Sequence, residues 1–230
     1  MIDKDRNESL PDKIVARINL NMIPQFIPRI EGEPLPNQFL ALILDIETTG
    51  LNPKTDEIIE FAGLLVVVDG EKGTIEGYLD AYAGLQEPSR QIPKNISQIN
   101  GLKKADLIGL KFDSERIRRL IDRADVVISH NVSFDKKFIS KIHKVDNIKI
   151  IWLDTLIIDW HRICGAQNHR LDTLRSIFGI DNLIPHSALG DVLSLVLILR
   201  NVINDIPVSK HIFTERLFNM LRKRKFNYKL

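Results

Sequence analysis

The sequence has little cysteine and no long apolar run. Cys164 is the only cysteine among 230 residues, which excludes a disulfide within the chain and a zinc site built from several cysteines. Apolar runs such as residues 192–199 are far shorter than the roughly 20 residues that a membrane-spanning helix needs. The first ten residues are too polar for a signal peptide. We therefore expect a reducing, cytoplasmic setting with no membrane attachment.

The sequence also has almost no excess of charge. Its net charge is +2, so composition alone does not indicate a nucleic-acid-binding protein. With 44% hydrophobic residues the chain can bury a substantial core, and its length fits one domain with extensions. Five prolines between positions 11 and 36 predict an extension over 1–38, with at most a short helix around Asp12–Leu20. We expect the domain itself over 39–203 and a basic tail over 204–230.

The pattern of apolar residues predicts a mixed α/β sheet. Phe39–Ile46 is apolar on both faces, as expected for a strand that is covered on both sides. Two further β segments complete an antiparallel meander, and strands and helices alternate after it. Such an order predicts a five-stranded sheet flanked by helices. The remaining predicted elements are strands Glu57–Val68, Thr74–Ala83, Asp125–Ser129 and Lys149–Trp152, helices Asp113–Arg123, Phe134–His143 and Ser187–Val202, and helical structure generally after Thr155.

Two carboxylates stand one residue apart at the end of the first strand, in the stretch LALILDIETTGL (40–51). Asp45 and Glu47 are at i and i+2, so they point to the same face of the strand. Like charges this close repel one another, and burial raises their pKa. A divalent cation would remove the conflict, and Mg²⁺ prefers such oxygen ligands. The alternative is a strand that simply ends in solvent with two acids on it.

The stretch SHNVSFDKKFI (129–139) carries a third acid. Asp135 falls near the start of a predicted helix, where the helix dipole favours an anion. A helix-capping role is the alternative. His130 is also explained as a hydrogen-bonded histidine at a strand end, and Phe134 as a core contact one helical turn from Phe138.

The stretch PHSALGDVLSLVL (185–197) carries a fourth acid and a histidine. His186 is predicted at the entry of a helix that begins near Ser187, and Asp191 lies more than a turn inside it. Asp191 adjoins an apolar stripe, where an unpaired charge would be costly. A metal ion would explain its position, and a structural or exposed role is the alternative.

Together, the three stretches resemble the motifs of the DEDD superfamily of 3′–5′ exonucleases, in its histidine-containing DEDDh (DnaQ-like) branch. DIETTG (45–50), HNVSFD (130–135) and HSALGD (186–191) match in order and spacing over roughly 39–203. The similarity is closest to stand-alone exonucleases that resemble the DNA polymerase III epsilon subunit, and LDTLRSIFGI (171–180) is similar to the family's helix before the third motif. One departure is Asn100-Gly101-Leu102-Lys103, where the family often has a His-Gly-Ile-Thr-like stretch. The substrate contact that the family's histidine makes is therefore not assigned to Asn100.

The resemblance implies a ribonuclease H-like fold and a two-metal mechanism. It implies that Asp45, Glu47, Asp135 and Asp191 hold two divalent ions, Mg²⁺ or Mn²⁺, and that His186 is the general base. It also implies that the terminal nucleotide contacts the segment after the first acids, for which an ordinary turn is the alternative. The implied substrate-binding residues are Thr48, Thr49, Gly50, Leu51, His130, Asn131 and Phe134.

These assignments predict a 3′–5′ exonuclease of the proofreading or repair type that releases nucleoside monophosphates. Its expected partners are single-stranded or frayed 3′ ends, with DNA preferred, and a DNA polymerase subunit. One alternative is an exoribonuclease or oligoribonuclease of the RNase T type. Another is a non-catalytic, polymerase-associated subunit that binds nucleic acid. The arginines of 113–123 fit a solvated helix face, whereas the basic run 222–225 beside Phe226 and Tyr228 fits either single-stranded nucleic acid or a loose tail.

Overall fold

A five-stranded sheet forms the centre of the protein. The computed structural model describes residues 10–142 and 150–227, with side chains described as far as residue 223. The strand order is β3-β2-β1-β4-β5; β1, β2 and β3 form an antiparallel meander, while β4 and β5 run parallel to β1. The predicted mixed sheet is therefore confirmed. The strands are β1 (Gln38–Thr48), β2 (Ile58–Asp69), β3 (Ile75–Leu85), β4 (Val126–Ser129) and β5 (Ile151–Asp154).

Helices cover both faces of this sheet. The helix predicted over Ser187–Val202 is shorter in the structure and ends at Arg200, because Asn201 has an extended backbone. The expectation of generally helical structure from about Thr155 on is wrong for a small hairpin, β6 (Val202–Ile203) with β7 (Ile206–Pro207). The predicted element ends at His143 and Lys149, and residues 228–230 of the predicted basic tail with Tyr228, lie outside the described residues. The helices are α1 (Asp12–Ile18), α2 (Lys94–Asn100), α3 (Ser114–Arg123), α4 (Val132–Ile142), α5 (Trp160–Cys164), α6 (Leu171–Ile177), α7 (Ala188–Arg200) and α8 (Glu215–Asn227).

Strand β1 is buried on both faces, as its unbroken apolar run predicts. Because side chains alternate along a strand, Phe39, Ala41 and Ile43 join one core with α7. Leu42 and Leu44 join the opposite core with α3 and α4. Positions 45 and 47 continue the odd-numbered series, so their side chains point to the α7 side. This places the two acids where the start of α7 can meet them.

Residues before β1 and after the β6–β7 hairpin pack against the core of the sheet. In the leading segment, Ile14 and Ile27 are almost fully buried, and Ile14 packs with Ile59 beneath the end of the sheet. In the trailing segment, α8 buries Phe218, whose ring lies 5.3 Å from that of Phe39. Within the described ranges, no helix has both the length and the apolar character needed to cross a membrane.

Candidate active site

Three of the four predicted acids meet at the end of β1. Asp45 and Glu47 lie at the end of the strand, and Asp191 reaches them from the first turn of α7. Their carboxylate oxygens lie within 4.8 Å of one another. The expectation that Asp191 lies more than a turn inside its helix is wrong, because Ser187 is still extended and α7 begins only at Ala188.

Asp135 lies beside this group without being part of it. It stands in the first turn of α4 and is only 2% exposed. After burial, the charge of Asp135 is the largest contribution that raises the pKa of Asp45. Burial is also the main reason that the pKa of Asp135 itself rises to about 7. All four predicted acids therefore share one electrostatic environment.

The acids carry more negative charge than the neighbouring side chains neutralise. Burial, followed by the other carboxylates, raises the pKa of Asp45 well above its usual value and that of Glu47 to about 8. Burial also raises the pKa of Asp191 to about 7, although the Arg175 guanidinium, 3.2 Å away, opposes the shift. Among residues 10–142 and 150–223, no lysine or arginine forms an ion pair with Asp45, Glu47 or Asp135.

This donor set fits divalent metal ions. Carboxylate oxygens are the ligands that Mg²⁺ and Mn²⁺ prefer, and three of them converge within a distance that one ion can span. The raised pKa values show that the protein alone does not stabilise the ionised forms. A bound cation would supply the missing positive charge.

The predicted base, His186, lies just ahead of α7 on the solvent side. Its side chain is 45% exposed, and its Nε2 lies 3.5 Å from Oδ2 of Asp172. Its backbone has φ = 52°, a left-handed conformation that is uncommon for a non-glycine residue. The carbonyl of His186 accepts a hydrogen bond of 2.7 Å from Nη2 of Arg17.

The segment after the first acids forms an ordered turn. Thr48 donates a hydrogen bond from Oγ1 to the Gly50 carbonyl (2.6 Å), and Thr49 Oγ1 accepts one from the Glu57 amide (3.0 Å). A Cβ on Gly50 would lie 2.5 Å from Oδ2 of Asp56, so contact with Asp56 accounts for this glycine. Leu51 is 79% exposed, and its apolar side chain is the part of the turn that is open to a ligand.

Both ring nitrogens of His130 are hydrogen-bonded to other segments of the chain. Its Nδ1 lies 2.7 Å from Thr155 Oγ1, and its Nε2 lies 2.6 Å from the His169 carbonyl. A carbonyl only accepts, so Nε2 carries a proton. These contacts favour the structural alternative for His130. They join the end of β4 to the segments that contain Thr155 and His169.

Asn131 and Phe134 frame the start of α4. Asn131 has φ = 100° and donates its amide to Asp154 Oδ1 at 3.1 Å. Asp154 also accepts the Val132 and Leu156 amides, at 3.1 and 2.9 Å. It thereby fixes the turn that leads to Asp135, although no motif identified it in the sequence. The ring of Phe134 packs 4.9 Å from that of Phe138, as the core alternative predicts.

The motifs of the sequence also did not identify Glu60, a carboxylate buried within the sheet. Glu60 is fully buried on β2, directly opposite Glu47 on β1. Its Oε2 accepts from Nε of Arg17 at 2.8 Å, and its Oε1 accepts from Ser187 Oγ (3.1 Å) and the Ala188 amide (3.0 Å). An acid inside the apolar run IIEFAG (58–63) was the available signal, whereas Arg17 stands in no motif.

Asn100 occupies the place where the sequence departs from the related family. It is 2% exposed, and its Oδ1 accepts the Leu102 amide at 3.0 Å. The amide group of Asn100 lowers the pKa of Glu47, yet its Nδ2 makes no hydrogen bond of normal length to a described residue. Its effect on Glu47 is therefore that of a nearby dipole.

A mixed sheet of this order, with an acid cluster at the end of its central strand, has the ribonuclease H-like fold. The family model of the RNase T exonucleases matches residues 42–199, and the chain belongs to this exonuclease family. The prediction of a DEDDh-type 3′–5′ exonuclease is thus confirmed for family and enzyme class.

Similar proteins include polymerases and separate nucleases. The DNA polymerase III PolC-type protein of Caldanaerobacter subterraneus subsp. tengcongensis is 29% identical over 78% of this chain, and that of Bacillus subtilis is 28% identical over 84%. The chain spans only 13% and 14% of their lengths.

Solved structures share the fold. An E. coli exonuclease I–single-stranded DNA complex in a zinc-bound form has a TM-score of 0.60 at 18% identity, covering 83% of this chain and 44% of that one. Exonuclease X in complex with 5′-overhanging duplex DNA has a TM-score of 0.53 at 19% identity, covering 79% of this chain and 99% of that one.

Proposed function

We propose that the chain is a metal-dependent exonuclease that removes nucleoside monophosphates from the 3′ end of DNA, in proofreading or repair. The observation that carries this proposal is the convergence of the Asp45, Glu47 and Asp191 oxygens within 4.8 Å, with Asp135 beside them. The PolC-type relatives, whose names are those of DNA polymerases, support DNA as the substrate. They also support a DNA polymerase as a partner.

The four acids would hold two divalent ions, Mg²⁺ or Mn²⁺. The chemistry that such ions supply when bound is greater acidity of a water molecule and compensation of the charge that develops on the phosphate. The protein holds the four carboxylates in place before any ion arrives, since β1, α4 and α7 are fixed by their own packing. This preorganisation limits the cost of assembling the site.

His186 would accept the proton of the attacking water. Histidine is the most frequent general base in enzymes, and this ring is open to solvent at the entry of α7. The neighbouring Asp172 carboxylate, whose Oδ2 lies 3.5 Å from Nε2 of His186, would orient the ring. Water then adds to phosphorus, the bond to the 3′ oxygen of the penultimate nucleotide breaks, that oxygen takes up a proton from His186 or from solvent, and a nucleoside monophosphate leaves.

Leu51 and the turn before it would receive the terminal nucleotide. An isolated apolar side chain with 79% exposure is suited to contact the face of a base. Thr48 and Thr49 are hydrogen-bonded within the turn and would position Leu51 instead of binding the substrate through their side chains. We propose that Asn131 and Phe134 line the other side of the terminal nucleotide and that His130 holds that side in place.

One time course tests this proposal. DNA and RNA strands of one sequence, labelled at either the 3′ or the 5′ end, are incubated with protein and Mg²⁺ or Mn²⁺, with and without EDTA. We expect immediate release of 3′-terminal mononucleotide from DNA, progressive shortening of 5′-labelled DNA, and no reaction in EDTA. Faster loss of RNA would favour the RNase T-type alternative. Binding without cleavage under every condition would favour the non-catalytic subunit.

A matched pair of variants links the reaction to the site. Asp45→Asn removes one carboxylate from the cluster, whereas Asp205→Asn removes the same charge at the exposed turn of the β6–β7 hairpin. That hairpin follows the far end of α7 (Ala188–Arg200), about 20 Å along the helix from its start. Cleavage by Asp45→Asn at the parental rate would exclude the acid cluster as the catalytic centre.

A further inference from the structure

The leading helix α1 places a single arginine beneath the candidate active site. Arg17 lies outside the residues matched by the family model, 42–199, yet it is only 5% exposed. Its guanidinium donates to Glu60 through Nε and Nη2, to the Asn100 carbonyl through Nη1 (2.9 Å), and to the His186 carbonyl through Nη2 (2.7 Å). One side chain thus joins three segments that are far apart in the chain.

The contact at His186 holds an unfavourable backbone conformation. His186 has φ = 52°, in the left-handed region that side chains with a Cβ rarely adopt. Such a conformation persists only where its surroundings fix it. The hydrogen bond from Arg17 to the His186 carbonyl is one such constraint, and it determines the direction in which the imidazole leaves the chain.

Glu60 constrains the next two residues in the same way. Its Oε1 accepts from Ser187 Oγ and from the Ala188 amide, while its Oε2 is held by Arg17. Residues 186–188 are therefore fixed from below by one connected hydrogen-bond network. Asp191 follows in the first turn of α7, with its amide donating to the Ser187 carbonyl at 2.8 Å.

We infer that Arg17 is a positioning residue for the exonuclease reaction, acting through the backbone of residues 186–188 on His186 and Asp191. The inference rests on the proposed function, because it takes His186 as the base and Asp191 as a metal ligand. Helix α1 then contributes to the active site by fixing the backbone of residues 186–188 through Arg17. The competing explanation is that Arg17 serves only as the counter-ion of buried Glu60.

Three variants separate these explanations. Arg17→Met removes both the charge and the donors, and leaves Glu60 as an unpaired buried charge. The pair Arg17→Met/Glu60→Gln removes both charges, while the carbonyl oxygen of the new amide side chain still accepts from Ser187 and Ala188. Arg200→Met is the control, because Arg200 is also partly buried and also donates to backbone carbonyls, those of Ile75 and Phe26, at the far end of α7.

The readouts are kcat and KM on a 3′-labelled DNA strand, the melting temperature, and hydrogen exchange of residues 184–191. We expect the paired variant to melt above Arg17→Met yet to show kcat lowered about 10- to 100-fold, as misplacement of a catalytic group does, with KM within about twofold. Its 184–191 amides should exchange faster than those of the parent, while Arg200→Met matches the parent in kcat and exchange.

Parental kcat and parental exchange in the paired variant would overturn the inference and leave Arg17 as a counter-ion only. Hydrogen exchange also separates this inference from the proposed function. If the parent cleaves no nucleic acid, the proposed function fails, and faster exchange over 184–191 still shows whether Arg17 fixes that segment. Unchanged exchange in both Arg17 variants would refute the positioning role whatever the activity.

Discussion

Glu47 and Glu60 face each other on neighbouring strands, and burial raises the pKa of both, but among the described side chains only Glu60 has an arginine in ion-pair contact. Glu60 is fully buried and accepts hydrogen bonds from Arg17, Ser187 and Ala188. Glu47 forms no ion pair among the described side chains, and burial together with Glu60 and Asp191 raises its pKa to about 8. The two positions form a register pair between β1 and β2, next to a register shift between Glu47 and Thr48.

On the proposed function, the difference would distinguish a structural carboxylate from a metal-ligand carboxylate. A buried charge is costly unless it is paired, and the protein pairs Glu60 internally. Among the described side chains it leaves Glu47, Asp45 and Asp135 without such a partner, although arginine side chains reach their neighbours Glu60 and Asp191. Acids that are kept unpaired in this way are available for a metal ion.

The largest expected effect comes from removing one of the unpaired acids. Asp45→Asn and Asp135→Asn should reduce DNA cleavage in Mg²⁺ to the limit of detection, because each removes a metal ligand from an otherwise intact sheet. Cleavage of a labelled strand is measured beside Asp205→Asn, which should match the parent. Activity within about tenfold of the parent in either variant would contradict the assignment of a ligand.

The next largest expected effect is the loss of kcat when His186 is replaced. His186→Ala should lower kcat by about 10²–10⁴-fold, as expected for loss of a general base, while Mn²⁺ binding is retained because the acids remain. Single-turnover cleavage and Mn²⁺ titration measure the two properties separately. An unchanged rate would remove His186 from this role, and a loss of Mn²⁺ binding would make it a ligand instead.

Loss of the partner of Glu60 and loss of the charge of Glu47 should change stability in opposite directions when metal is absent. Arg17→Met leaves Glu60 as an unpaired buried charge. This should lower the free energy of unfolding by about 3–5 kcal/mol. Glu47→Gln should raise the free energy of unfolding, because it removes a carboxylate that is repelled by its neighbours. The pKa of that carboxyl group is already raised to about 8. Urea denaturation in EDTA at pH 8 measures both, and destabilisation by both variants would refute the contrast drawn here.

A further prediction is a dependence of stability on pH. The folded-state pKa of Glu47 (about 8) and of Asp135 (about 7) exceed those of unfolded carboxyl groups, which lie near 4. Between these values the folded chain binds more protons than the unfolded chain, so the free energy of unfolding falls as pH rises from about 4 to 8.

Thermal melts in EDTA measure this dependence, each 1 kcal/mol corresponding to about 2–4 °C for a chain of this size. Asp135→Asn lacks one of the titrating groups, so its melting temperature should fall less between pH 5 and pH 8 than that of the parent. Addition of Mg²⁺ at pH 8 should raise the melting temperature of the parent more than that of the variant. Equal declines in the two proteins would count against the raised pKa of Asp135.

The sheet and the three acidic stretches were predictable from sequence because each is a local pattern. The unbroken apolar run before Asp45 predicts a strand that is covered on both faces, and the i, i+2 spacing predicts that Asp45 and Glu47 share a face. Asp135 and Asp191 were found because a family resemblance joins stretches that are individually uninformative.

The supporting contacts were not predictable, because they join residues far apart in the chain. Arg17 meets Glu60 across 43 residues and His186 across 169, and no periodicity relates such positions. Arg175 stood inside a recognised stretch, but its pairing with Asp191 depends on how α6 packs against α7. The position of Asp191 within its helix was missed for a local reason, since Ser187 stays extended where a helical residue was expected.

Titration with Mn²⁺ tests the central claim most directly. Isothermal titration calorimetry on the parent, Asp45→Asn and Asp205→Asn reports how many ions each protein binds. We predict two Mn²⁺ per chain for the parent and for Asp205→Asn, and loss of at least one ion in Asp45→Asn. Parental binding in Asp45→Asn, or no binding in the parent, would contradict the claim that these acids converge to hold metal ions.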